Sequence, residues 1–215
     1  MGQDVLVRRH ASWLQIELNR PDRRNALTAP MVAEIAKAVD RASTDDGVQA
    51  VLLSGAGGCF CSGLDLDHVA PGEPEITAEL AELHSRLAEL DKPLVGALER
   101  AAVNAGAALA LACDLLVIGR ESFLMISEAS MGVAAPHNLA WLLRKYDVNR
   151  ALQLALGCER TYGPDMLRLG LASHCVSDPE VLTAARELTA RIAGYGNSGG
   201  TRMKRAIREH HRGND

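Results

Sequence analysis

Two glycine-rich stretches, each directly after a predicted buried strand, are the parts of this sequence most suited to chemistry. The first is GGCFCSGLD at 57–65, which follows a strand predicted at 48–54. The second is VNAGAALALACD at 103–114, which follows the KPLVGAL strand and contains an apolar helix predicted at about 105–113. Small residues let main-chain N–H groups approach a ligand, and a helix start has unpaired N–H groups. Two such donors that converge form an oxyanion hole, which stabilises a carbonyl oxygen as it gains negative charge.

Other glycine and cysteine motifs do not fit these stretches. Phe60 stands where a dinucleotide-binding fingerprint has its third glycine, and no Gly-Lys-Ser/Thr follows as in a P-loop. Phe60 also excludes a nucleophile elbow at Ser62. Cys59 and Cys61 are separated by one residue, unlike the ligands of zinc knuckles, so we expect no metal site. From the residues alone, two plain strand-to-helix turns remain an alternative to an oxyanion hole.

The elements that would position these turns alternate between strands and helices in the first half of the chain. Residues 5–19 predict two short strands around a turn, and apolar spacing predicts helices at 29–43 and 76–90. This alternation predicts an α/β fold with a helical C-terminal part, in one domain of 215 residues. The helices predicted in the second half lie near 138–145, 148–157, 164–169, 179–193 and 201–211.

The composition excludes several classes of function. Aromatic residues make up only 3% of the chain and the net charge is −4, so we expect no nucleic-acid partner. No apolar run reaches about 18 residues, so we expect no membrane span. Five cysteines, an odd number, together with a start that lacks a signal peptide, favour reduced thiols and a cytoplasmic location.

Four segments of the chain together resemble the crotonase superfamily, the enoyl-CoA hydratases and isomerases. They are RPDRRNALTAPMVAEI, VQAVLLSGAGGCFCSGLDL, KPLVGALERAAVNAGAALALACDLLV and FLMISEASMGVAAP, in the order and spacing of that family. The likeness runs from about Val5 to about Ala206. It implies a crotonase-like spiral of ββα units over 1–145 and a helical region over 146–215. That region assembles homo-trimers, which often pair into hexamers. The family continues with further helices, so we expect the helical region to be shortened here.

The resemblance assigns the two glycine-rich turns to an acyl-CoA ligand. It places the thioester oxygen between the backbone N–H groups of Leu64 and Ala105, which would form the oxyanion hole. Ser62 matches a position whose backbone faces the adenine. Arg23 and Arg24 match basic residues near the CoA phosphates, and two solvated loop arginines are the alternative. CoA is part of the substrate, so no separate cofactor is implied. The residues implied to bind CoA are Arg23, Arg24, Ser62, Gly63, Asp65 and Gly106.

The resemblance also identifies the carboxylates. Family hydratases use two glutamates on opposite sides of the α and β carbons. The position of the first is Ala108 in this chain, and the position of the second is Glu128. One carboxylate suffices to move a proton from the α to the γ carbon, so Glu128 alone favours isomerisation of a 3-enoyl-CoA over hydration. Ala108 also favours a non-catalytic acyl-CoA binding protein, and an acyl-CoA hydrolase is a third alternative.

Two polar residues stand where the family usually has glycines. We expect His137 either to reach the acyl pocket as a second acid or base or to have a structural role. Asn138 has the right chemistry for the N-cap of the helix that follows. Glu99-Arg100 replaces the Asn-Gly that is common in the family, and Asn104-Ala105-Gly106 replaces three glycines.

Overall fold

The structure is a computed structural model that describes residues 3–68 and 74–212. The strands are β1 (Val5–Arg9), β2 (Trp13–Leu18), β3 (Ala50–Gly55), β4 (Leu94–Leu98), β5 (Ala101–Val103), β6 (Leu115–Gly119), β7 (Phe123–Met125), β8 (Thr161–Tyr162) and β9 (His174–Val176). The helices are α1 (Ala29–Thr44), α2 (Pro74–Glu89), α3 (Ala105–Ala112), α4 (Pro136–Lys145), α5 (Val148–Gly157), α6 (Gly163–Arg168), α7 (Val181–Ala193) and α8 (Gly199–Arg212).

The larger of two sheets brings the glycine-rich segments together. Its strand order is β1-β2-β3-β4-β6-β9, with β1 antiparallel to β2 and every other pair parallel. Because β3 and β4 are parallel neighbours, their carboxyl ends meet at the same edge of the sheet. The smaller sheet has the order β5-β7-β8. The predicted α/β fold is confirmed, whereas the ββα spiral and the trimer-forming region stay predictions.

The central strands are apolar along their whole length because both faces of the larger sheet are covered. All six residues of β3 and all five of β4 are buried. Leu52 and Val95 point to the face that α7 covers, where they share a cluster with Leu188. Val51 and Leu94 point to the opposite face, in the cluster that also holds the buried residues of α1 and α2. Burial on both faces explains why these strands read as continuous apolar runs.

Helix α3 lies inside the protein, as its all-round apolar sequence predicts. Every residue from Gly106 to Ala112 is buried, and the helix packs against β4, β5, α2 and α4. Its last carbonyl groups need donors because a helix end has no further turn. The Nζ of Lys145 supplies them, at 2.6 Å from Leu111 O and 2.7 Å from Cys113 O. A half-buried cation thus stabilises the C-terminal end of the helix whose N-terminal end enters the candidate site.

The structure departs from the sequence-based assignment in three short strands and one helix start. Strands β5, β8 and β9 have only two or three residues and gain their order from pairing with distant segments. Two of them, β8 and β9, come from the region predicted to be helical. Helix α4 begins at Pro136, two residues before its predicted start, because proline is favoured in a first helical turn. None of the helices described is long and apolar enough to cross a bilayer.

Candidate active site

The segment after β3 exposes one main-chain N–H group. Gly63 has a φ of 101°, and a Cβ there would lie 3.0 Å from the carbonyl oxygen of Val103. Leu27 donates its N–H to Gly63 O at 2.8 Å, and Asp65 donates its N–H to Leu27 O at 2.9 Å. Leu64 lies between these two bonded residues, so its N–H points away from Leu27. Within residues 3–68 and 74–212 that N–H has no protein acceptor, so it is available to a ligand.

The start of α3 provides further unpaired donors. Ala105 is the first residue of the helix, and the N–H of Ala108 is the first to bond back, to Asn104 O at 3.0 Å. The N–H groups of residues 105, 106 and 107 therefore have no acceptor inside the helix. Asn104 precedes the helix with a φ of 51° and a ψ of −111°, a conformation that lies outside the left-handed helical region and that residues other than glycine rarely adopt.

Cys61 joins the two turns. Its N–H donates to Ala101 O at 3.0 Å, and its carbonyl oxygen accepts from the N–H of Val103 at 3.1 Å. A Cβ on Gly106 would lie only 2.4 Å from the same carbonyl oxygen, so the start of α3 packs directly against this segment. Burial raises the pKa of the Cys61 thiol to about 12, which keeps it protonated. The structure thus brings the Leu64 and Ala105 segments together, and their joint action on one oxygen stays a prediction.

Asp65 anchors the Leu64 loop from inside the protein. Its carboxylate lies 2.8 Å from Arg20, 3.0 Å from Arg23 and 3.2 Å from the imidazole of His68. Burial by itself would raise the pKa of Asp65, but hydrogen bonds from these three partners outweigh it and hold the pKa below its usual range. The carboxylate is buried and two of its neighbours are arginines, so it holds the loop in place.

The loop that contains Arg23 and Arg24, here called the arginine loop, is hydrogen-bonded to the turn before Leu64. The N–H of Ser62 donates to Arg24 O at 3.1 Å, and the hydroxyl of Ser62 donates to Arg23 O at 3.5 Å. Arg23 donates hydrogen bonds to the carboxylates of Asp67 and Asp65, and these bonds raise its pKa. Arg24 is exposed. The two arginines therefore differ, because Arg23 pairs with two protein carboxylates, whereas the side chain of Arg24 has no such partner within residues 3–68 and 74–212.

Glu128 is buried in the turn after β7, which spans Glu128–Met131. Its side chain is 9% exposed, and Oε1 accepts a hydrogen bond from Asn138 Nδ2 at 2.8 Å. Oε2 is buried without a partner in the part of the chain that is described. Burial raises the pKa of Glu128 above its ordinary value, which suits a carboxylate that takes and returns protons near neutral pH.

Asn104 connects the Glu128 turn to the start of α3. Its Oδ1 accepts from the backbone N–H of Ser127 at 2.8 Å and from the hydroxyl of Ser127 at 3.0 Å. Its own carbonyl oxygen accepts from Asn138 Nδ2 at 3.1 Å. One residue therefore holds both the turn with the acid and the helix end with the free amides.

The capping role predicted for Asn138 is wrong. Asn138 is the third residue of α4, is 2% exposed and binds Glu128 rather than the backbone of its own helix. The N-cap position belongs to Ala135, because the helix begins at Pro136. Sequence analysis missed the contacts of both asparagines with the Glu128 turn. The signal available in the sequence was Asn138 itself, a polar residue at a position where the family that the chain resembles usually has glycine.

His137 belongs to a cluster of rings behind the site. Its ring stacks on that of His84 at 4.7 Å, and His84 Nδ1 accepts a hydrogen bond from Trp141 Nε1 at 2.9 Å. Burial lowers the pKa of His84 to about 3 and also lowers that of His137, so both rings are neutral at pH 7. His137 forms no hydrogen bond with Glu128 in the described chain. Ala108, at the expected site of a second acid, is fully buried.

Comparisons with known proteins identify the family of the chain. A family profile described as "Enoyl-CoA hydratase/isomerase" matches residues 8–214. "Probable enoyl-CoA hydratase 1, peroxisomal" of Arabidopsis thaliana is 34% identical over 184 residues, which cover 82% of this chain and 68% of that protein. "Enoyl-CoA hydratase EchA19" of Mycobacterium tuberculosis is 32% identical and covers 97% of this chain and 81% of its own length. The crystal structure of an enoyl-CoA hydratase from Mycobacterium avium subsp. paratuberculosis matches with a TM-score of 0.90 at 27% identity, covering 99% of this chain and 87% of that chain.

Proposed function

Because the chain belongs to the enoyl-CoA hydratase/isomerase family, we propose that it binds an acyl-CoA thioester and converts a 3-enoyl-CoA into a 2-enoyl-CoA. The observation that carries the proposal is the buried carboxylate of Glu128 next to the start of α3. Within the described residues, one oxygen of Glu128 has no partner, and the first amides of α3 have no acceptor in their helix. Ala108 leaves the site without a second acid of the kind that hydration needs, so isomerisation is favoured over hydration.

The chemistry starts at the thioester oxygen. The N–H groups of Leu64 and Ala105 donate to this oxygen, which becomes negatively charged when the α proton leaves. Each such donor is typically worth about 3 to 4 kcal/mol in the transition state, because it is already oriented and shielded from water. Both steps of the isomerisation are proton transfers, so the reaction requires neither a metal ion nor a redox cofactor.

The CoA part of the substrate would lie along the arginine loop. The turn at Ser62, Gly63 and Asp65 and the start of α3 at Gly106 form one face of this path. Arg24 is exposed beside it and can reach a phosphate, whereas Arg23 contributes mainly through the position that Asp65 gives the loop. The phosphates would thus meet a charge that no carboxylate of the described residues neutralises.

Isomerisation of a 3-enoyl-CoA by the purified protein tests the proposal. Glu128→Gln keeps the shape of the side chain but removes the base, so kcat should fall by roughly 100- to 10,000-fold. Glu159→Gln, at an exposed position of the same residue type, is the matched control and should keep the wild-type rate. An unchanged rate in Glu128→Gln would show that another group is the base.

A non-catalytic acyl-CoA binding protein is the second candidate, and Ala108 is the observation that favours it. Calorimetry with an acyl-CoA, beside the turnover assay, separates the two. Tight binding with no change in any enoyl-CoA selects the binding protein. Release of free CoA thiol in the same assay would instead identify a hydrolase, since it requires cleavage of the thioester bond.

We propose further that the protein is a homo-trimer or a hexamer. Seven large apolar side chains are exposed on the Glu128 turn, α4 and α5, and a groove of about 350 Å³ runs between the two helices. A second copy of the chain would remove this apolar surface from water. Light scattering should report three or six copies, and Leu152→Glu with Leu156→Glu should dissociate them. Val7→Glu on β1 is the control. The seven side chains are Met131, Val133, Leu139, Leu143, Val148, Leu152 and Leu156.

A cytoplasmic location completes the proposal. All five cysteines are free thiols, and Cys59, Cys61 and Cys113 are buried. Free thiols are typical of a reducing compartment. A fluorescent fusion that collects in any other compartment would contradict this part of the proposal.

A further inference from the structure

The contact between Asn138 and Glu128 has only one possible orientation. Asn138 Nδ2 lies 2.8 Å from Glu128 Oε1 and 3.1 Å from Asn104 O. A main-chain carbonyl oxygen can only accept, so the amide atom that faces it must be the nitrogen. Both hydrogens of Nδ2 are then used, one on each acceptor. Because the side chain is 2% exposed, it cannot turn toward solvent and exchange these partners for water.

This contact makes the two oxygens of Glu128 different. Oε1 is held by the amide, whereas Oε2 is buried without a partner in residues 3–68 and 74–212. We propose that Asn138 is a positioning residue, which holds Oε1 of Glu128 and leaves Oε2 as the oxygen that exchanges a proton with the substrate. The inference rests on the proposed isomerisation and names the atom that performs it.

The proton transfers balance on this one oxygen. Oε2 takes the proton from the α carbon, and the electron pair of the broken C–H bond moves into the enolate, whose negative charge lies on the thioester oxygen. The enolate then takes the proton back from Oε2 at the γ carbon, and the double bond moves to the α,β position. The carboxylate is regenerated, and no other reactant is consumed. A carboxylate that kept both oxygens free would have to be reoriented before each transfer.

Among the described side chains, Asn138 supplies the hydrogen bond that favours the ionised form of Glu128. Burial raises the pKa of Glu128, and the hydrogen bonds that oppose this rise come from its own backbone, from Asn138 and from the backbone of Ser127. α5 packs on this turn with alanine and leucine side chains, and α3 is made of alanine, glycine and leucine. His137 on α4 and His84 on α2 are neutral and stacked on each other. Loss of the Asn138 donor should therefore raise the pKa of Glu128 further.

The test compares the oligomeric wild-type protein with Asn138→Leu, which has the same shape but no donor, and with Asn138→Ala. We expect kcat to fall roughly tenfold while KM changes less than about twofold, since a hydrogen bond to a charged group is lost. The acid limb of the kcat profile should move to higher pH by about one unit. Asn149→Leu, an exposed asparagine on α5, is the control and should change neither quantity.

A second measurement does not depend on turnover. In protein with ¹³C-labelled glutamate, the carboxyl signal that disappears in Glu128→Gln reports the protonation of Glu128. Its pKa should be higher in both Asn138 variants than in the wild type, and melting curves show that the variants are folded. If folded variants keep the wild-type pH profile and the wild-type titration, the positioning role is overturned. If the wild type does not isomerise a 3-enoyl-CoA, or if Glu128→Gln keeps the rate, the proposed function fails and this inference fails with it.

Discussion

The two sides of the candidate site are built from different materials. The donor side is made of main-chain N–H groups, and it needs glycine at positions 63 and 106 because a side-chain atom there would meet the backbone of the other turn. The acid side is made of side chains, with Asn104 and Asn138 around Glu128. The donor side therefore depends on the absence of side-chain atoms, and the acid side depends on hydrogen-bond partners. Substitutions that add atoms should disrupt the donor side, and substitutions that remove a polar group should disrupt the acid side.

The largest effect should follow from an added methyl group on the donor side. In Gly106→Ala the new Cβ would lie 2.4 Å from Cys61 O and 2.9 Å from Cys61 Cβ, and neither neighbour can give way as a flexible chain end would. We expect the free energy of unfolding in urea to fall by about 1 to 3 kcal/mol, and kcat to fall at least tenfold because the start of α3 moves.

Gly157→Ala is the matched control for this change. Gly157 ends α5 with nothing within 4 Å of a new Cβ. Its stability should stay the same or rise by up to about 1 kcal/mol, because alanine restricts the unfolded chain. A fully stable and active Gly106→Ala protein would contradict the view that space limits the donor side.

The next effect should follow from a removed acceptor on the acid side. Asn104→Gly permits the φ of 51° but removes the Oδ1 that binds the N–H and hydroxyl of Ser127. We expect kcat to fall roughly tenfold and the unfolding free energy to fall by about 1 to 3 kcal/mol, as two donors lose their partner.

Asn104→Asp separates the acceptor from the backbone conformation. It keeps an oxygen at the same place and tolerates the same φ. Its losses in rate and stability, measured above the pKa of Glu128, should be smaller than those of Asn104→Gly. Equal losses in the two variants would mean that the acceptor is irrelevant and that asparagine serves the turn in another way.

Glu128→Gln should have a smaller effect, which depends on pH and raises stability instead of lowering it. The pKa of Glu128 is higher in the folded than in the unfolded chain, so its ionised form opposes folding above the folded pKa and not below the unfolded one. Glu128→Gln, which is neutral at every pH, should therefore melt roughly 1 to 3 °C higher than the wild type at pH 7. The gain should disappear near pH 4. A gain of the same size at both pH values would show that it does not come from the carboxylate charge.

The smallest effect should come from the arginine loop. Arg24→Ala removes an exposed charge, so the affinity for an acyl-CoA should fall only about two- to fivefold with no change in melting temperature. Arg23→Ala also removes a partner of the buried Asp65, so its melting temperature should fall as well. Calorimetry and melting curves on the two variants test this difference. If Arg24→Ala is the one that lowers the melting temperature, the assignment of roles in the loop is wrong.

Sequence analysis predicted features that depend on short segments and missed those that depend on contacts between distant segments. The glycine turns at 57–65 and 103–114 and the buried helix between strands were predicted, because periodicity and backbone freedom are properties of short segments. The helix predicted at 76–90 is present as α2, and the apolar residues from Ile76 to Leu87 whose spacing indicated it are buried. Short β9 was missed, since three residues carry no usable periodicity and its place at the edge of β6 depends on chain folding.

The misassigned asparagine shows where a local rule fails. Asn138 is of a residue type that is common at N-caps, but the helix begins earlier, at Pro136. Asn138 therefore lies inside the first turn, and its side chain bonds to Glu128, ten residues back along the chain. Arg23 shows what a resemblance leaves out. The resemblance assigned it to the CoA phosphates, which stays a prediction, but it gave no sign of the pairing with Asp65 across 42 residues.

By itself, the sequence determined the order of the longer strands and helices and the two glycine-rich turns. Its resemblance to a family pointed to Glu128 and to the absence of a second acid at Ala108. The tertiary structure decided which oxygen of Glu128 is free, which arginine is already neutralised, and that one asparagine connects the acid to the helix end. Local preferences act over a few residues and can be read along the chain. Hydrogen bonds between buried groups depend on which segments meet, and only the packing of α3, α4 and the Glu128 turn brings those groups within 3 Å of one another.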